Sequence, residues 1–131
     1  MPLKPERNLY EYAVVRYVPS VERGEFVNVG LVMMCKRRRW LRCRFNIDEG
    51  RLDALFPGCD VGLLERQLAS FDDVARGSRT PIGCLEAHER FRWLTAVRSA
   101  CIQTSRPHPG HTSDLDATFS RLFAELILPV S

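Results

Sequence analysis

The stretch from Tyr10 to Met34, YEYAVVRYVPSVERGEFVNVGLVMM, constrains the fold more than any other part of the chain. Two runs rich in Val and Tyr flank a short polar connector, Pro19–Glu25, that contains a glycine. β-Branched and aromatic residues favour strands, and a short glycine-containing connector between two such runs favours a reversal of direction. The stretch therefore predicts two antiparallel strands, over residues 10–18 and 25–35.

The second predicted strand is apolar on both of its sides. Strict alternation places Val27, Val29, Leu31 and Met33 on one face, and Phe26, Asn28, Gly30, Val32 and Met34 on the other. A strand that buries both faces occupies the middle of a sheet. A third run, over residues 40–47, supplies its other neighbour after a charged turn at residues 36–39, so residues 10–47 are predicted to form a meander.

Most of the chain after residue 47 has the apolar spacing of amphipathic helices. A short helix capped by Asp48 is predicted to run through Phe56, and a second helix is capped by Asp60 and carries Val61, Leu64, Leu68, Phe71 and Ala75 on one side. A third helix over Glu86–Ala100, a short strand over 101–104 and a loop over 106–112 follow. The last predicted helix begins with a capping box of Ser113 and Asp116 and ends before Pro129.

Strands first and helices afterwards indicate an α+β fold rather than a parallel sheet. We expect an antiparallel sheet of three to four strands, built on residues 10–47, packed against three to four helices. The 131 residues suffice for one self-sufficient core, so a single domain is predicted over residues 1–131, with residues 1–8 as a loose N-terminal arm.

The composition is that of an ordinary globular protein, with 45% apolar and 27% charged residues. No apolar run approaches the roughly 20 residues that cross a bilayer, and the polar N-terminus lacks a signal-peptide pattern. We therefore expect a cytoplasmic protein with no membrane partner.

Five cysteines are scattered without C-x-x-C spacing, which favours reduced thiols in the protein interior. The alternative is a zinc site of Cys84 or Cys101 with His108 and His111, but the second ligand cluster that structural zinc sites use is missing. No metal and no cofactor are expected.

Several polar side chains interrupt the predicted strands. If the hairpin turn centres on Glu22, Arg16 lies opposite Asn28, and its guanidinium needs an acceptor from Glu25 or from a bound carboxylate or phosphate. The candidate partner- or ligand-binding residues are Arg16, Glu25, Asn28, Arg42, Arg44 and Gln103. The competing interpretation is an internal polar network that fixes strand register. No phosphate-binding loop and no nucleophile–base order occurs, so no catalytic residue is assigned.

A second candidate surface is the basic hairpin around the turn at residues 36–39. Its residues are Lys36, Arg37, Arg38, Arg39, Trp40, Arg42 and Arg44, with Trp40, Arg42 and Arg44 on one side of the third strand. Clustered guanidinium groups beside an aromatic ring are typical of nucleic-acid surfaces. Against this interpretation, a net charge of only +3 is low for a nucleic-acid-binding domain, and charged hairpins often only protect a sheet edge.

Four segments resemble one known family in order along the chain: RYVPSVERGEFVNVGLV at 16–32, RFNID at 44–48, LFPGCD at 55–60 and SACIQTSRP at 99–107. Together they are similar to a bacterial domain-of-unknown-function family, number 3037, over about residues 10–127. The resemblance implies small bacterial proteins whose genes often neighbour one for a HipA-like kinase-fold protein, and it implies no catalytic set.

Three functional hypotheses follow. The leading one is a non-enzymatic accessory or regulatory protein that binds another bacterial protein, plausibly the HipA-like kinase, through Arg16, Asn28, Arg42 and Arg44. The first alternative is nucleic-acid binding through the basic hairpin. The second is a small ligand-binding domain or enzyme with a concave site at Arg16, Glu25, Asn28 and Gln103.

Overall fold

A computed structural model describes residues 7–96 and 101–129 of the chain. The described residues form an α+β fold, as predicted, with four helices and with five strands, one more than the largest number expected. The elements are β1 (Asn8–Ser20), β2 (Glu25–Cys35), β3 (Trp40–Phe45), α1 (Glu49–Leu55), α2 (Val61–Arg76), α3 (Ala87–Ala96), β4 (Ile102–Thr104), β5 (His108–Thr112) and α4 (Leu115–Leu126). Most of the predicted N-terminal arm and residues 97–100 of the predicted third helix lie outside the described residues. None of the helices in the described part of the chain has the length and apolar character needed to cross a bilayer.

The sheet is antiparallel, with β2 between β3 and β1. Both β4 and β5 pair with the other edge of β1, β4 with residues 15–17 and β5 with residues 8–12. Between them Ser105 bridges the interruption, because its hydroxyl accepts from the Val14 backbone N–H and its own N–H donates to the Val14 carbonyl, each at 2.9 Å. β4 and β5 therefore act as one interrupted outer strand.

The prediction of a loop over residues 106–112 is wrong, because residues 108–112 are β5. Pro109 is compatible with this strand because β5 pairs on one side only within the described sheet, where a missing N–H can face away from the ladder. The predicted capping box at Ser113 is also wrong. Asp114 is the N-cap of α4, and its side chain accepts from the Ala117 N–H at 3.0 Å.

The sheet is covered on both faces, which makes β2 central as predicted. The larger core lies between the sheet and α1–α3 and contains Ala13, Val15, Tyr17, Val27, Val29, Val32, Met34, Leu52, Leu64, Leu68, Phe71, Phe91 and Leu94. The smaller core lies under α4 and contains Tyr10, Val14, Leu31, Met33, Phe119, Leu122, Phe123 and Ile127.

Strict alternation along β2 is interrupted by a register shift where Val15 and Arg16 of β1 meet Gly30 and Asn28. Two consecutive β2 residues then oppose one residue of β1, which is the geometry of a bulge. Leu31 consequently faces α4, whereas Val29 faces α1–α3. The predicted grouping of Leu31 and Met33 with Val27 and Val29 is therefore wrong beyond the bulge.

Gly30 leaves room for the ring of Phe45, its partner on β3. A Cβ atom at position 30 would overlap that ring. The ring in turn meets Phe71 of α2 edge-on, with centroids 5.9 Å apart. The Phe45 ring therefore contacts both Gly30, next to the bulge in β2, and α2.

Side chains and carbonyls close the helix ends. The predicted N-caps Asp48 and Asp60 are confirmed, since they accept from the N–H groups of Arg51 and Leu63. At the end of α2, Arg90 donates to the carbonyls of Val74 and Ala75 at 3.0 and 2.7 Å. A cation at a helix C-terminus also interacts favourably with the helix dipole, so Arg90 fixes α3 against α2.

We expect Gly30→Ala to lower the free energy of unfolding by about 1–3 kcal/mol, because the new methyl group overpacks against the Phe45 ring. Urea denaturation measures this change. Gly50→Ala is the control: an added Cβ meets its nearest atom at 3.5 Å in α1, so this substitution should stabilise the helix by about 0.5–1 kcal/mol. Equal effects of the two substitutions would contradict the packing argument.

Candidate functional site

Arg16 is the centre of a row of polar side chains across three strands. It pairs in register with Asn28 on β2, as predicted, and with Gln103 on β4. All three side chains are half-buried. The row lies beside the end of α4, because the Asn28 Nδ2 donates to the carbonyl of Leu126 at 3.3 Å.

Two atoms of this row are shielded from solvent and have no hydrogen-bond partner within residues 7–96 and 101–129. They are the Nε of Arg16, a donor, and the Oδ1 of Asn28, an acceptor. The Arg16 guanidinium lies over the ring of Phe26, 4.3 Å from the centroid, and this contact does not satisfy the in-plane N–H groups. Shielded polar groups are nearly always paired in folded proteins, to protein atoms or to water, so the two unpaired atoms make this row a candidate binding site.

Glu25, predicted as a possible acceptor for Arg16, is engaged elsewhere. It pairs with Ser20 across the hairpin end and accepts from Arg23 at 2.9 Å. Both side chains of this ion pair are largely exposed. Of the acceptors that the sequence suggested for Arg16, an external carboxylate or phosphate remains.

An open cleft of about 580 Å³ lies next to the row, between the start of β2, α1 and the end of α4. Asn28 and Phe26 both line it. Three lining side chains are large, apolar and exposed, and we call them the hairpin-end patch: Phe26 (49%), Leu55 (51%) and Leu128 (40%). Glu25, Arg51 and Glu125 surround them.

Sequence reasoning did not identify this patch. Leu55 has the helical spacing of a core residue, but α1 is short and buries only Leu52 fully. Leu128 follows the last helix, and only the folded chain brings it near Phe26. An apolar residue directly beside a charged turn, as in Glu25-Phe26, was the available signal.

Arg42 and Arg44 lie on one side of the sheet, as predicted, but they contact α4. The Arg42 guanidinium lies over the rings of Trp40 and Phe119, 5.0 and 5.6 Å from their centroids, and forms an ion pair with Asp116. Arg44 lies 4.6 Å from the centroid of Phe123. The two cations therefore already have partners within the chain, and neither joins the Arg16 row.

The rest of the basic hairpin lies at the opposite end of β2 from the cleft. Lys36, Arg37, Arg38 and Arg39 are exposed in the β2–β3 turn, where Arg39 adopts a positive φ of 51°. Arg38 donates to the Asn8 side chain at 3.3 Å. Trp40 meets Phe119 edge-on, with centroids 6.1 Å apart, so its ring contributes to the core under α4.

The residues of the zinc alternative make other contacts. The Cys101 Sγ donates to Gln67 at 2.9 Å, the Cys84 Sγ donates to the Pro81 carbonyl, and His108 lies against Tyr12. Over residues 7–96 and 101–129, no three His, Cys, Asp or Glu side chains converge in a way that could hold a metal ion.

A second pocket contains Tyr17, Cys59 and Cys101. Burial, helped by the charges and the hydrogen bond of Cys59, raises the pKa of Tyr17 to about 12. Burial also raises the pKa of the Cys101 and Cys43 thiols. A nucleophilic thiol is activated by a lowered pKa, so these upward shifts do not favour reactivity of the Cys101 and Cys43 thiols.

Comparison with known proteins gives one family. The model of the family described as "Protein of unknown function (DUF3037)" matches residues 12–127. The chain belongs to this family. No curated protein and no solved structure matches it. The match includes β1–β5 and all four helices except the first four residues of β1. The Arg16 row therefore lies within the matched region, and so does the lining of the cleft apart from Leu128 and Pro129.

In this DUF3037 chain we expect Arg16→Met to leave the free energy of unfolding unchanged or to raise it by up to about 1 kcal/mol, because it removes a half-buried cation that has no anion. Arg92→Met is the matched control. It removes a bidentate ion pair with Glu11, at 2.6 and 3.0 Å, and should lower the free energy of unfolding by about 0.5–1 kcal/mol. Urea denaturation measures both changes. If Arg16→Met lowers the free energy of unfolding by more than Arg92→Met does, Arg16 has a structural role.

Proposed function

We propose that this protein is a non-enzymatic accessory protein that binds a partner protein at the hairpin-end patch and the cleft beside it. The observation that carries the proposal is the coincidence of three exposed apolar side chains with two shielded, unpaired polar atoms at one place. Exposed apolar clusters surrounded by charged residues are typical of protein–protein contact sites.

The position of the patch supports this proposal. Phe26, Leu55 and Leu128 come from three separate elements, so their cluster is a property of the folded surface. An exposed phenylalanine between charged neighbours can act as an anchor, because aromatic side chains contribute a large apolar area when a partner excludes water from them. The partner that the family resemblance suggests is the HipA-like kinase-fold protein encoded beside family members.

We expect Leu55→Asp to weaken binding of that neighbouring protein by roughly 100-fold, because it places a charge inside the apolar contact. Leu9→Asp is the matched control: Leu9 is 59% exposed but lies on β1 beside β5, away from the patch. Isothermal titration calorimetry with purified proteins measures both. Equal affinities of the Leu55→Asp and Leu9→Asp variants for the partner would contradict the proposed surface. If the unaltered chain does not bind the kinase-fold protein, that protein is excluded as the partner.

The second candidate function is nucleic-acid binding through the basic hairpin. It is favoured by four consecutive exposed basic residues, Lys36–Arg39, at one end of the sheet. It is weakened because Trp40, Arg42 and Arg44 contact α4, so the Trp40 ring already packs against Phe119 instead of being free to stack on a base.

If this second function holds, the protein is retained on immobilised RNA or DNA in a salt-dependent way, and the triple substitution of Arg37, Arg38 and Arg39 by Glu abolishes retention. The same triple variant should bind the partner protein normally if the first function holds. Retention that survives the triple substitution would rule out the hairpin as the nucleic-acid surface.

A further inference from the structure

Arg16 has no carboxylate partner among the described residues, and its Nε is shielded from solvent and unpaired. Arg42, Arg76 and Arg92 each pair with an Asp or Glu. The side chains opposite Arg16 in the row are the neutral amides of Asn28 and Gln103. Glu25, the acidic residue that the sequence suggested as an acceptor for Arg16, already binds Arg23.

From this arrangement, and resting on the proposed function, we infer that the partner docks a peptide segment that presents an acidic side chain to Arg16 and an adjacent apolar side chain to the hairpin-end patch. A carboxylate accepts two parallel hydrogen bonds from the edge of a guanidinium, including the Nε–H that is now unpaired. The anion would also compensate a cation that is partly removed from water.

The unpaired Asn28 Oδ1 restricts which hydrogen-bonding groups the ligand can carry. It is an acceptor, and its amide nitrogen is already bound to the Leu126 carbonyl. The ligand must therefore supply an N–H donor as well as an anionic acceptor. A peptide with an acidic residue carries both, whereas the phosphodiester groups of nucleic acids offer only acceptors at neutral pH.

Phe26 connects the two parts of this docking site. Its ring covers the Arg16 guanidinium and also lines the cleft. The ring is 49% exposed near the end of the hairpin, so a segment that enters the cleft reaches Arg16 by displacing this ring. The apolar side chain of the segment then contacts Leu55 and Leu128 while its carboxylate meets Arg16.

The test is an NMR titration of the full-length ¹⁵N-labelled protein with two blocked dipeptides, acetyl-Leu-Glu-amide and acetyl-Leu-Gln-amide. The signals followed are the Arg16 Nε–H, identified by its loss in Arg16→Lys, and the Asn28 side-chain amide. We expect both signals to move with the glutamate peptide and to stay in place with the glutamine peptide. No response to the glutamate peptide, or equal responses to both peptides, would overturn the inference.

Two further measurements separate the possible outcomes. The first is a titration with inorganic phosphate. If phosphate moves the Arg16 signal as far as the glutamate peptide does, Arg16 binds anions in general and the inference is overturned. Asn28→Asp places a carboxylate opposite Arg16, so it should weaken the glutamate-peptide response by roughly tenfold through internal competition. A full shift of the Arg16 signal in this variant would contradict the inference that Arg16 binds the glutamate carboxylate.

Failure of this inference is distinguishable from failure of the proposed function. If Leu55→Asp abolishes partner binding while the glutamate peptide leaves Arg16 unmoved, the docking surface stands and the acidic contact is wrong. If the glutamate peptide moves Arg16 while Leu55→Asp binds the partner normally, the Arg16 site is real but the partner does not use the hairpin-end patch.

Discussion

Burial of β2 on both faces is the constraint on which the rest of this structure depends. The helices α1–α3 cover one face of the sheet and α4 covers the other, so a side chain in the middle of β2 must be apolar or have a partner. The strand meets this condition from Val29 to Cys35, where every residue is buried. Asn28 is the exception, and it lies where α4 ends. The candidate site is therefore located at the limit of the helix cover.

The course of α4 also explains why arginines on the same face have different roles. Arg42 and Arg44 run beside the aromatic side chains of α4 and, in the case of Arg42, reach Asp116. Arg16 lies beyond the helix and has only the Phe26 ring over its face. A guanidinium can exchange part of its hydration for contact with aromatic rings, but its N–H groups still need acceptors. Two of these cations thus stabilise the fold, whereas the shielded Nε of the third has no hydrogen-bond partner among the described residues.

Local sequence features predicted the parts of the fold that local chemistry controls. The pairing of Arg16 with Asn28 followed from placing the centre of the hairpin turn at Glu22. The caps at Asp48 and Asp60 followed from side chains that accept backbone N–H groups. The bulge at Gly30 was not predictable, because one inserted residue leaves the apolar composition of a strand unchanged while it reverses which side each residue faces. β5 was missed because its sequence, His-Pro-Gly-His-Thr, has the composition of a loop, and its strand conformation comes from pairing with β1.

By itself the sequence determined the α+β class, the central position of β2 and the presence of polar side chains on otherwise apolar strands, because turn chemistry and apolar periodicity act over a few residues. Only the tertiary structure decided that Trp40, Arg42 and Arg44 pack against α4, that Glu25 is engaged with Arg23, and that Phe26, Leu55 and Leu128 meet beside Asn28. The contacts of Trp40, Arg42, Arg44 and Leu128 depend on where α4 crosses the sheet and where it ends. The position of α4 is set by the packing of residues that are distant in the chain.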